Sequence, residues 1–369
     1  IFLVKIKFIM KVGIIGNNLT SLVLAKALVN KEIYVDVFYK NKNINIDKTR
    51  TIGISKSNID YFNKNILNIS KILWPIKKIK IYSENSNDQE IIRFEDQVSN
   101  LFSIMKNEKI FDKLNSDLKR KKFFKLKKDI GYKNLSNSSY NLLINCDYKH
   151  ELTKKLFFKK FEKKYNSIAF TTIIHHKKLK FNNTAFQVFT DKGPIAFLPI
   201  SKEETSIVYS IRTKKFDTEF NIRDLIKKFN LDYEVKKIDK ISKFNLSSLN
   251  LRQYYTNNIL AFGDLLHKLH PLAGQGFNMS MRDIRRLLEI ISEKVELGLP
   301  LDKSICVEFQ NKTKSNNLIF SEGIDFIYES FNSKDKFKKN FIDLTVRMMG
   351  KNKLINRYFK KIADTGLNL

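Results

Sequence analysis

The chain has 369 residues, of which 43% are hydrophobic, so it is long and apolar enough to bury a large core and is not a disordered chain. Its 68 Lys and Arg against 38 Asp and Glu give a formal net charge of +30, which makes nucleic acid the first partner to consider. The basic residues are, however, spread along the whole chain among many Asn and Ile, as the codon bias of an AT-rich genome produces. We therefore expect no nucleic-acid partner.

Every apolar run is interrupted by Lys or Asn and falls short of the roughly 18–20 residues that a membrane-spanning helix needs, so no such helix is predicted. The hydrophobic residues 1–9 contain two lysines and no small-residue cleavage site, and we expect Met10 to be the true start. The two cysteines, Cys146 and Cys306, are far apart in sequence. This spacing favours neither a zinc site nor a disulfide, and it fits a reducing cytoplasm.

The amino-terminal pattern predicts a parallel βαβ unit. Residues 11–16 (KVGIIG) form a β-branched run that ends in glycine, and residues 17–32 carry apolar side chains at helical spacing. A second apolar run follows at residues 33–38 (IYVDVF). Strand, tight turn, helix and strand in this order indicate the start of a Rossmann-like domain.

Strand-like segments dominate the middle of the chain and predict a mixed sheet, which we assign to a substrate-side domain. They lie at residues 79–82, 185–189, 195–198 and 206–211. From residue 277 onward the pattern turns helical, and residues 318–331 and 341–349 predict a helical tail.

The first βα turn, residues 16–21, stands where a dinucleotide-binding fold carries G-x-G-x-x-G, but only Gly16 remains. Asn18 and Ser21 replace the other two glycines. Both replacements are sterically mild, because Asn tolerates the left-handed conformation and Ser is small. The acidic residue expected at the end of the second strand is Tyr39 here, with Asp36 inside the strand. The turn alone leaves a cofactor site and an ordinary βα turn equally open.

A stronger motif follows the apolar strand 259–262, in residues 263–279 (GDLLHKLHPLAGQGFNM). Asp264 stands at a strand end, where it can accept hydrogen bonds from polyol hydroxyls, while Gly274 and Gly276 let a flat ring lie against bare backbone. The helix that begins near Gly276 offers unpaired N–H groups and a positive dipole end to a negatively charged ring. The alternative is an ordinary strand–loop–helix in which both glycines serve only the turn.

Residues 263–283 resemble the carboxyl-side flavin motif of the FAD-dependent, para-hydroxybenzoate-hydroxylase-like aromatic-ring hydroxylases. The HPLAGQGFN core is most similar to the ubiquinone-biosynthesis hydroxylases. In the order that the family shows, VGIIG resembles the opening of the fold, residues 50–55 (RTIGIS) resemble the segment whose Arg contacts the flavin side, and residues 192–199 (KGPIAFLP) resemble the strand over the substrate face. The resemblance covers nearly the whole chain from Met10.

The resemblance implies an α/β fold of mixed α+β kind, with a Rossmann-like FAD-binding domain, an intertwined mixed-sheet substrate domain and a helical carboxyl-terminal tail. The division that we expect gives residues 10–75, 106–160 and 246–300 to the FAD-binding domain, residues 76–105 and 161–245 to the substrate domain, and residues 301–369 to the carboxyl-terminal helices.

The resemblance further implies an FAD-dependent monooxygenase of ubiquinone biosynthesis, with NAD(P)H as reductant, molecular oxygen as co-substrate and a polyprenylated phenol as substrate. The predicted cofactor-binding residues are Gly16, Asn17, Asn18, Leu19, Arg50, Asp264, Pro271, Ala273, Gly274, Gln275, Gly276, Phe277 and Asn278. No residue is assigned a catalytic or metal-binding role, because the flavin does the oxidising chemistry while the protein orients a ring and excludes water. For His270 we favour a role in fixing the loop over contact with the ring edge.

Several departures from the family pattern keep other functions open. The Asp-Gly motif of the family appears as residues 145–148 (NCDY), with Tyr148 in place of glycine, and residues 106–118 lack the Arg that contacts the cofactor. With the worn glycine turn, these departures motivate an alternative, a non-catalytic or weakly FAD-binding relative that acts as a scaffold in the same pathway. A flavin hydroxylase of another small aromatic substrate is the third hypothesis.

A lipid-soluble substrate and a basic surface predict a cytoplasmic protein that is peripheral to the anionic inner membrane or held in a ubiquinone-biosynthesis complex. Residues 119–128 (KRKKFFKLKK) form the densest basic run and contain two Phe. They are the predicted membrane contact, with a solvated helix face or basic loop as the alternative.

Overall fold

The computed structural model describes residues 10–42, 46–84, 90–95, 100–136, 138–190, 192–212, 221–230, 232–270, 274–332, 361–362 and 364–366. The strands are β1 Lys11–Ile15, β2 Tyr34–Tyr39, β3 Thr51–Ser55, β4 Trp74–Ile76, β5 Lys78–Ser83, β6 Glu90–Glu95, β7 Phe102–Lys106, β8 Phe124–Lys128, β9 Leu142–Asn145, β10 Lys160–His176, β11 Thr184–Thr190, β12 Gly193–Pro199, β13 Glu204–Arg212, β14 Val235–Ile238, β15 Ser242–Leu251, β16 Tyr255–Thr256, β17 Ile259–Ala261 and β18 His267–Lys268. The helices are α1 Leu19–Val29, α2 Lys56–Asn65, α3 Asn107–Leu118, α4 Tyr132–Ser136, α5 Glu151–Leu156, α6 Ile222–Phe229, α7 Gln275–Glu296 and α8 Lys303–Asn332.

The first sheet is the predicted Rossmann-like sheet. Its strand order is β16-β17-β9-β1-β2-β8, and β1 pairs in parallel with both β2 and β9. Strands β1 and β2 are rich in Val, Ile and other apolar residues, because both faces of a parallel sheet are covered by other parts of the protein. Helix α1 supplies part of that cover, since all of its residues from 21 to 29 are buried. The βαβ unit that the sequence predicts is confirmed.

The second sheet is the mixed sheet predicted for the middle of the chain. Its strand order is β18-β15-β10-β13-β12-β11-β5-β6, with β14 beside β10. All pairs along this order are antiparallel except β11 with β5, which is parallel. The four strand-like segments of the sequence lie in β5, β11, β12 and β13. A separate apolar core that includes Phe197, Ile207 and Ile226 packs against this sheet.

Segments of the two large sheets alternate along the chain, so the mixed α/β fold with intertwined parts is confirmed. A small antiparallel sheet of order β3-β7-β4 lies in addition to them. The expected boundary between residues 245 and 246 falls inside β15. The sixfold division of the chain stays a prediction.

The basic run at residues 119–128 is not a helix face. Helix α3 ends at Leu118, and β8 then pairs with β2 as the edge strand of the first sheet. Phe124 is buried, and Phe123 packs edge-on against Tyr34 with ring centroids 4.9 Å apart. The helix-face interpretation is therefore wrong. Both Phe side chains contact the protein itself, which removes the apolar part of the membrane contact predicted there.

The carboxyl-terminal part is helical as predicted, with α7 and α8 in contact with each other. The predicted helical segment 341–349 lies outside the described residues. Among the helices of the described part, none combines the length and the apolar character needed to cross a bilayer.

Candidate cofactor site

Three parallel strands end at the same edge of the first sheet, and each carries part of the predicted site. Gly16 follows β1, Asp147 follows β9, and Gly263 follows β17. A side chain at Gly16 would meet the Cβ atom of Asp147 at 3.1 Å, and one at Gly263 would meet Cγ2 of Thr20 at 3.0 Å. The carboxyl edge of a doubly wound sheet is where such folds bind ligands. The structure therefore brings the two predicted motifs together.

In the turn after β1, only the first glycine position of the dinucleotide-binding pattern, Gly16, has the positive φ that favours glycine. Gly16 has φ +95°, a left-handed conformation that favours glycine, and its N–H donates to the carbonyl of Phe38 at 2.9 Å. Next to it, the Asn17 amide donates to the carbonyl of Asn41 at 3.1 Å.

Asn18 is the N-cap of α1, and its side chain is used by the protein itself. Its Oδ1 accepts from the backbone N–H of Ser21 at 3.0 Å and from the Ser21 hydroxyl at 3.1 Å, while its Nδ2 donates to the carbonyl of Cys146 at 2.8 Å. One amide of the helix start is thus satisfied within the protein. The amides of Leu19 and Thr20 are at the start of α1 and have no acceptor within the helix.

Asp264 lies at the end of β17 in a short 3-10 turn, Gly263–Leu265, and is exposed. No described side chain or backbone amide donates to its carboxylate, so it can accept hydrogen bonds from a bound molecule. Beneath the site, burial raises the pKa of the Cys146 thiol to about 12, with Asp264 and Asp147 adding to the shift. Cys146 therefore stays a neutral thiol and is not a nucleophile.

The loop between His270 and Gly274 contains Pro271 and Ala273, which lie outside the described residues. Gly274 adopts φ +61° as the N-cap of α7, and a Cβ there would lie 3.9 Å from the backbone of Gly53. Within the part of the chain that the structure describes, a Cβ at Gly276 would have no neighbour within 4 Å. The first turn of α7, with Gln275 and Phe277, therefore starts beside bare backbone and open space.

Asn278 holds this helix start against β3 and α2. Its Oδ1 accepts from the N–H of Ser55 at 2.9 Å and from the Asn58 amide at 3.0 Å, and its Nδ2 donates to the carbonyl of Gly53 at 3.1 Å. The side chain is fully occupied and buried. Asn278 thus positions the loop glycines, and it offers a cofactor only its backbone.

Arg50 lies just before β3 and is exposed, with its guanidinium over the Phe244 ring at 5.5 Å. It forms no ion pair with a described residue, so its charge is available to an anionic group. Tyr148, which replaces the glycine of the Asp-Gly motif, points outward and accepts a hydrogen bond from Lys160 at 2.6 Å. It does not fill the space beside Gly16.

Two histidines fix the loop that joins β17 to α7. The His267 Nε2 forms a very short hydrogen bond with Asp283 on α7, and Asp283 in turn accepts from Asn317 on α8 at 3.0 Å. His270 stacks on Tyr328 with ring centroids 3.8 Å apart, and burial lowers the pKa of its imidazole to about 3. The role of fixing the loop is supported for His270 by this packing.

Sequence reasoning missed Gly53 and Asp283. A glycine inside a strand is a signal of close backbone approach, and Gly53 in β3 carries it. A carboxylate on the buried face of an amphipathic helix signals a buried partner, and Asp283 is 1% exposed.

The site fits FAD at both ends. The two glycines at the start of α7, Gly274 and Gly276, suit a flat ring whose charge the α7 dipole stabilises. The exposed Asp264 suits a polyol chain, and the left-handed Gly16 with the free amides of α1 suits a pyrophosphate, although the Asn18 side chain already uses one amide.

Comparison with known proteins agrees with this geometry. Residues 149–296 match the FAD binding domain family. The chain is 27% identical over 164 residues to the 3-demethoxyubiquinol 3-hydroxylase of Escherichia coli, covering 41% of this chain and 40% of that protein. It is 24% identical over 211 residues to the mitochondrial ubiquinone biosynthesis monooxygenase COQ6 of Xenopus tropicalis, covering 46% of each. The chain thus matches less than half the length of these curated relatives.

Solved structures show the same fold over almost the whole chain. The p-nitrophenol 4-monooxygenase PnpA of Pseudomonas putida aligns with a TM-score of 0.78 at 12% identity, covering 98% of this chain and 99% of that one. Klebsiella pneumoniae HpxO, solved with FAD and uric acid, aligns with a TM-score of 0.74 at 14% identity, covering 96% of both chains.

Residues 149–296 are thus similar to an FAD binding domain, and the chain as a whole shares the fold of the monooxygenase PnpA. The resemblance to the aromatic-ring hydroxylases is confirmed, and the relatives that the chain matches include ubiquinone-biosynthesis hydroxylases. The assignment of FAD as cofactor is supported by the family match and by the FAD-bound neighbour.

Proposed function

We propose that the protein is an FAD-dependent monooxygenase that hydroxylates the aromatic ring of a polyprenylated phenol in ubiquinone biosynthesis. The observation that carries the proposal is the start of α7, where a Cβ added at Gly274 would lie 3.9 Å from the Gly53 backbone and one at Gly276 would meet no described atom within 4 Å. Glycines at a helix start, next to a glycine in the neighbouring strand, leave backbone that a flat, electron-accepting ring can approach. The names of the curated relatives support the reaction and the pathway.

Each part of the chain has a defined task in this proposal. The α1 amides and the Gly16 turn bind the pyrophosphate, Asp264 binds the ribityl hydroxyls, and the α7 amides stabilise negative charge on the ring. Bound FAD supplies the redox chemistry that inserts an oxygen atom from O₂, with NAD(P)H as the proposed reductant. Asn278 and the pair of His267 with Asp283 act as positioning residues, because their side chains bond to the protein and hold the loop.

The proposed substrate partitions into lipid, so the enzyme works in the cytoplasm at the surface of the inner membrane or within a biosynthetic complex. The test is cofactor release from the native protein, followed by analysis of the quinone precursors in a deletion strain. Released FAD together with an accumulated polyprenylated phenol supports the proposal. Normal quinone levels in the deletion strain and turnover of a small aromatic acid by the purified protein would move the function to another aromatic substrate.

A scaffold function is the second candidate, and the Asn18 side chain favours it. It occupies an amide that a pyrophosphate would use, and the buried Asp36 is tied to Tyr140 at 2.5 Å and to Lys127 at 2.8 Å instead of a ribose. The double change Asn18→Gly with Ser21→Gly distinguishes the two. If the protein is a flavoenzyme, we expect FAD to bind about tenfold more tightly, about 1.4 kcal/mol, because the pyrophosphate reaches the backbone.

The measurement for the double change is an FAD titration of apo protein by flavin fluorescence. The melting temperature of the apo protein should fall at the same time, since the N-cap bonds of α1 are lost and glycine disfavours helix by up to about 1 kcal/mol. A colourless parent whose double variant also takes up no FAD would favour the scaffold.

A further inference from the structure

An exposed patch of aromatic and basic side chains lies at the start of β10, apart from the cofactor site. We define the aromatic–basic patch by Lys155, Phe158, Lys159, Phe161 and Arg252. Phe158 is 61% exposed and Phe161 is 63% exposed. Exposed large apolar groups that cluster on a surface usually mark a contact site.

The five side chains form one surface. Lys155, Phe158 and Lys159 line a shallow cavity of about 300 Å³. The N–H of Arg252 donates to the carbonyl of Lys159 at 2.9 Å, and the Arg252 guanidinium lies over the Phe161 ring at 5.5 Å. The patch is therefore continuous from the end of α5 to the end of β15.

The charge of the patch is not neutralised by the protein. Lys155, Lys159 and Arg252 form no ion pair among the described residues. Their cationic groups lie over aromatic rings instead, and the Lys155 Nζ atom is 4.6 Å from the centre of the Tyr132 ring. Glu162, the nearest carboxylate in sequence, is paired with Lys160 at 3.2 Å. Such cations are free to meet an anionic surface.

We propose that the aromatic–basic patch docks the protein on an anionic lipid surface, with Phe158 and Phe161 inserted at the level of the headgroups. Apolar rings beside long cationic side chains match the boundary between acyl chains and anionic headgroups. The basic run 119–128 lacks this combination, because Phe124 is buried and the half-buried Phe123 packs against Tyr34. The proposal rests on the proposed function only in that a lipid-dissolved substrate explains the contact.

The experiment is cosedimentation of the whole protein with vesicles of mixed phosphatidylcholine and phosphatidylglycerol, and with vesicles of phosphatidylcholine alone. The parent should bind the mixed vesicles, and added salt should release it because exposed charges are screened. Phe158→Ser with Phe161→Ser should weaken binding by at least about tenfold, since the inserted rings are lost.

Matched controls separate the patch from general basicity. Phe181 is 73% exposed beside Lys180 beyond the other end of β10, roughly 50 Å away, so Phe181→Ser should bind as the parent does. The triple change Lys155→Gln, Lys159→Gln and Arg252→Gln should weaken binding more than the triple change Arg120→Gln, Lys121→Gln and Lys122→Gln, which removes the same number and kind of charges.

Three outcomes would overturn the proposal. The first is an equal loss of vesicle binding in the two triple variants. The second is unchanged vesicle binding by the double Phe variant. The third is a patch variant that loses binding to single-stranded RNA while its vesicle binding stays intact. Melting temperatures equal to that of the parent show that the variants are folded. Vesicle binding needs no flavin, so a colourless protein that binds through the patch would overturn the proposed enzyme and leave the docking surface standing.

Discussion

At the scale of single residues, the site combines groups that the fold has already satisfied with groups that it leaves free. The side chains of Asn18 and Asn278 form their hydrogen bonds within the protein. Asn18 bonds to α1 and to Cys146 just after β9, and Asn278 bonds to β3 and α2. Asp264 and Arg50 are exposed and have no described ionic partner. Side chains of the first kind set the shape of the site, and those of the second kind are the ones that a cofactor can contact.

Asp264→Ala should weaken FAD binding by about 1.5–3 kcal/mol, the usual worth of a hydrogen bond to a charged group. Because the side chain is exposed, the melting temperature of the apo protein should hardly change. Flavin fluorescence titration measures the affinity, and Asp264→Asn, which keeps one carbonyl acceptor, should lose less. An alanine variant with the affinity of the parent would remove Asp264 from the site.

His270 predicts a pH dependence of stability. Burial lowers the pKa of its imidazole to about 3, whereas the unfolded chain takes up this proton near pH 6.5. Between these values the unfolded state binds more protons, so stability falls as the pH falls, by at most about 1.4 kcal/mol per pH unit from this group.

The matched variant is His270→Phe, which keeps an aromatic ring against Tyr328. Urea unfolding of the parent and the variant at several pH values from neutral to acid gives the slopes. We expect the slope of the variant to be flatter below pH 6.5. Identical slopes would mean that His270 does not titrate between the folded and unfolded states in this range.

At the scale of elements, the segment around Asp364 joins α2 to the cofactor side of the fold. The Asp364 carboxylate accepts from the N–H of Ser57 at 2.9 Å, at the amino terminus of α2, and its carbonyl accepts from the hydroxyl of Ser55 at 3.0 Å. The N–H of the same Ser55 donates to Asn278 at the start of α7. A negatively charged carboxylate near the amino terminus of a helix is also stabilised by the positive end of the helix dipole.

Asp364→Ala should therefore destabilise the protein by about 0.5–2 kcal/mol, the usual cost of losing a helix cap. Asp364→Asn keeps the acceptor and should retain most of the stability. The free energies of unfolding of the parent and the two variants, measured in urea, test these expectations. If the alanine variant is as stable as the parent, the cap does not contribute in solution.

At the scale of the whole molecule, the chain carries a formal net charge of +30. Its fold is shared by solved structures that are only 12–14% identical to it. Among the described residues, Lys26 is a buried cation, and the half-buried Asp117 pairs with it at 2.8 Å. Like charges that repel one another destabilise a compact state.

Added salt should for this reason raise the melting temperature, because screening weakens the repulsion between exposed lysines and arginines. Differential scanning calorimetry at increasing ionic strength measures the change. Sodium and potassium chloride at equal ionic strength should act alike if screening is the cause. A melting temperature that falls with salt would show that local ion pairs outweigh the net repulsion.

The sequence by itself determined the elements and the two motifs. The β-branched runs and helical spacing of residues 11–38 predict β1, α1 and β2 because the periodicity of a strand or helix is a local property. The Gly-Asp and the two glycines of residues 263–276 indicate a ring-binding loop because turn chemistry is local as well. The resemblance to a known family then supplied the order of the domains.

Only the tertiary structure decided which of these residues are free. Asn18 lies 128 positions from its partner Cys146, Asn278 lies 223 positions from Ser55, and Asp364 lies 307 positions from Ser57. The Phe side chains of residues 119–128 were assigned to a surface in sequence, yet pairing of β8 with β2 buries Phe124, and Phe123 packs against Tyr34. Local spacing carries no information on such distant contacts, because they depend on how whole strands and helices pack against one another.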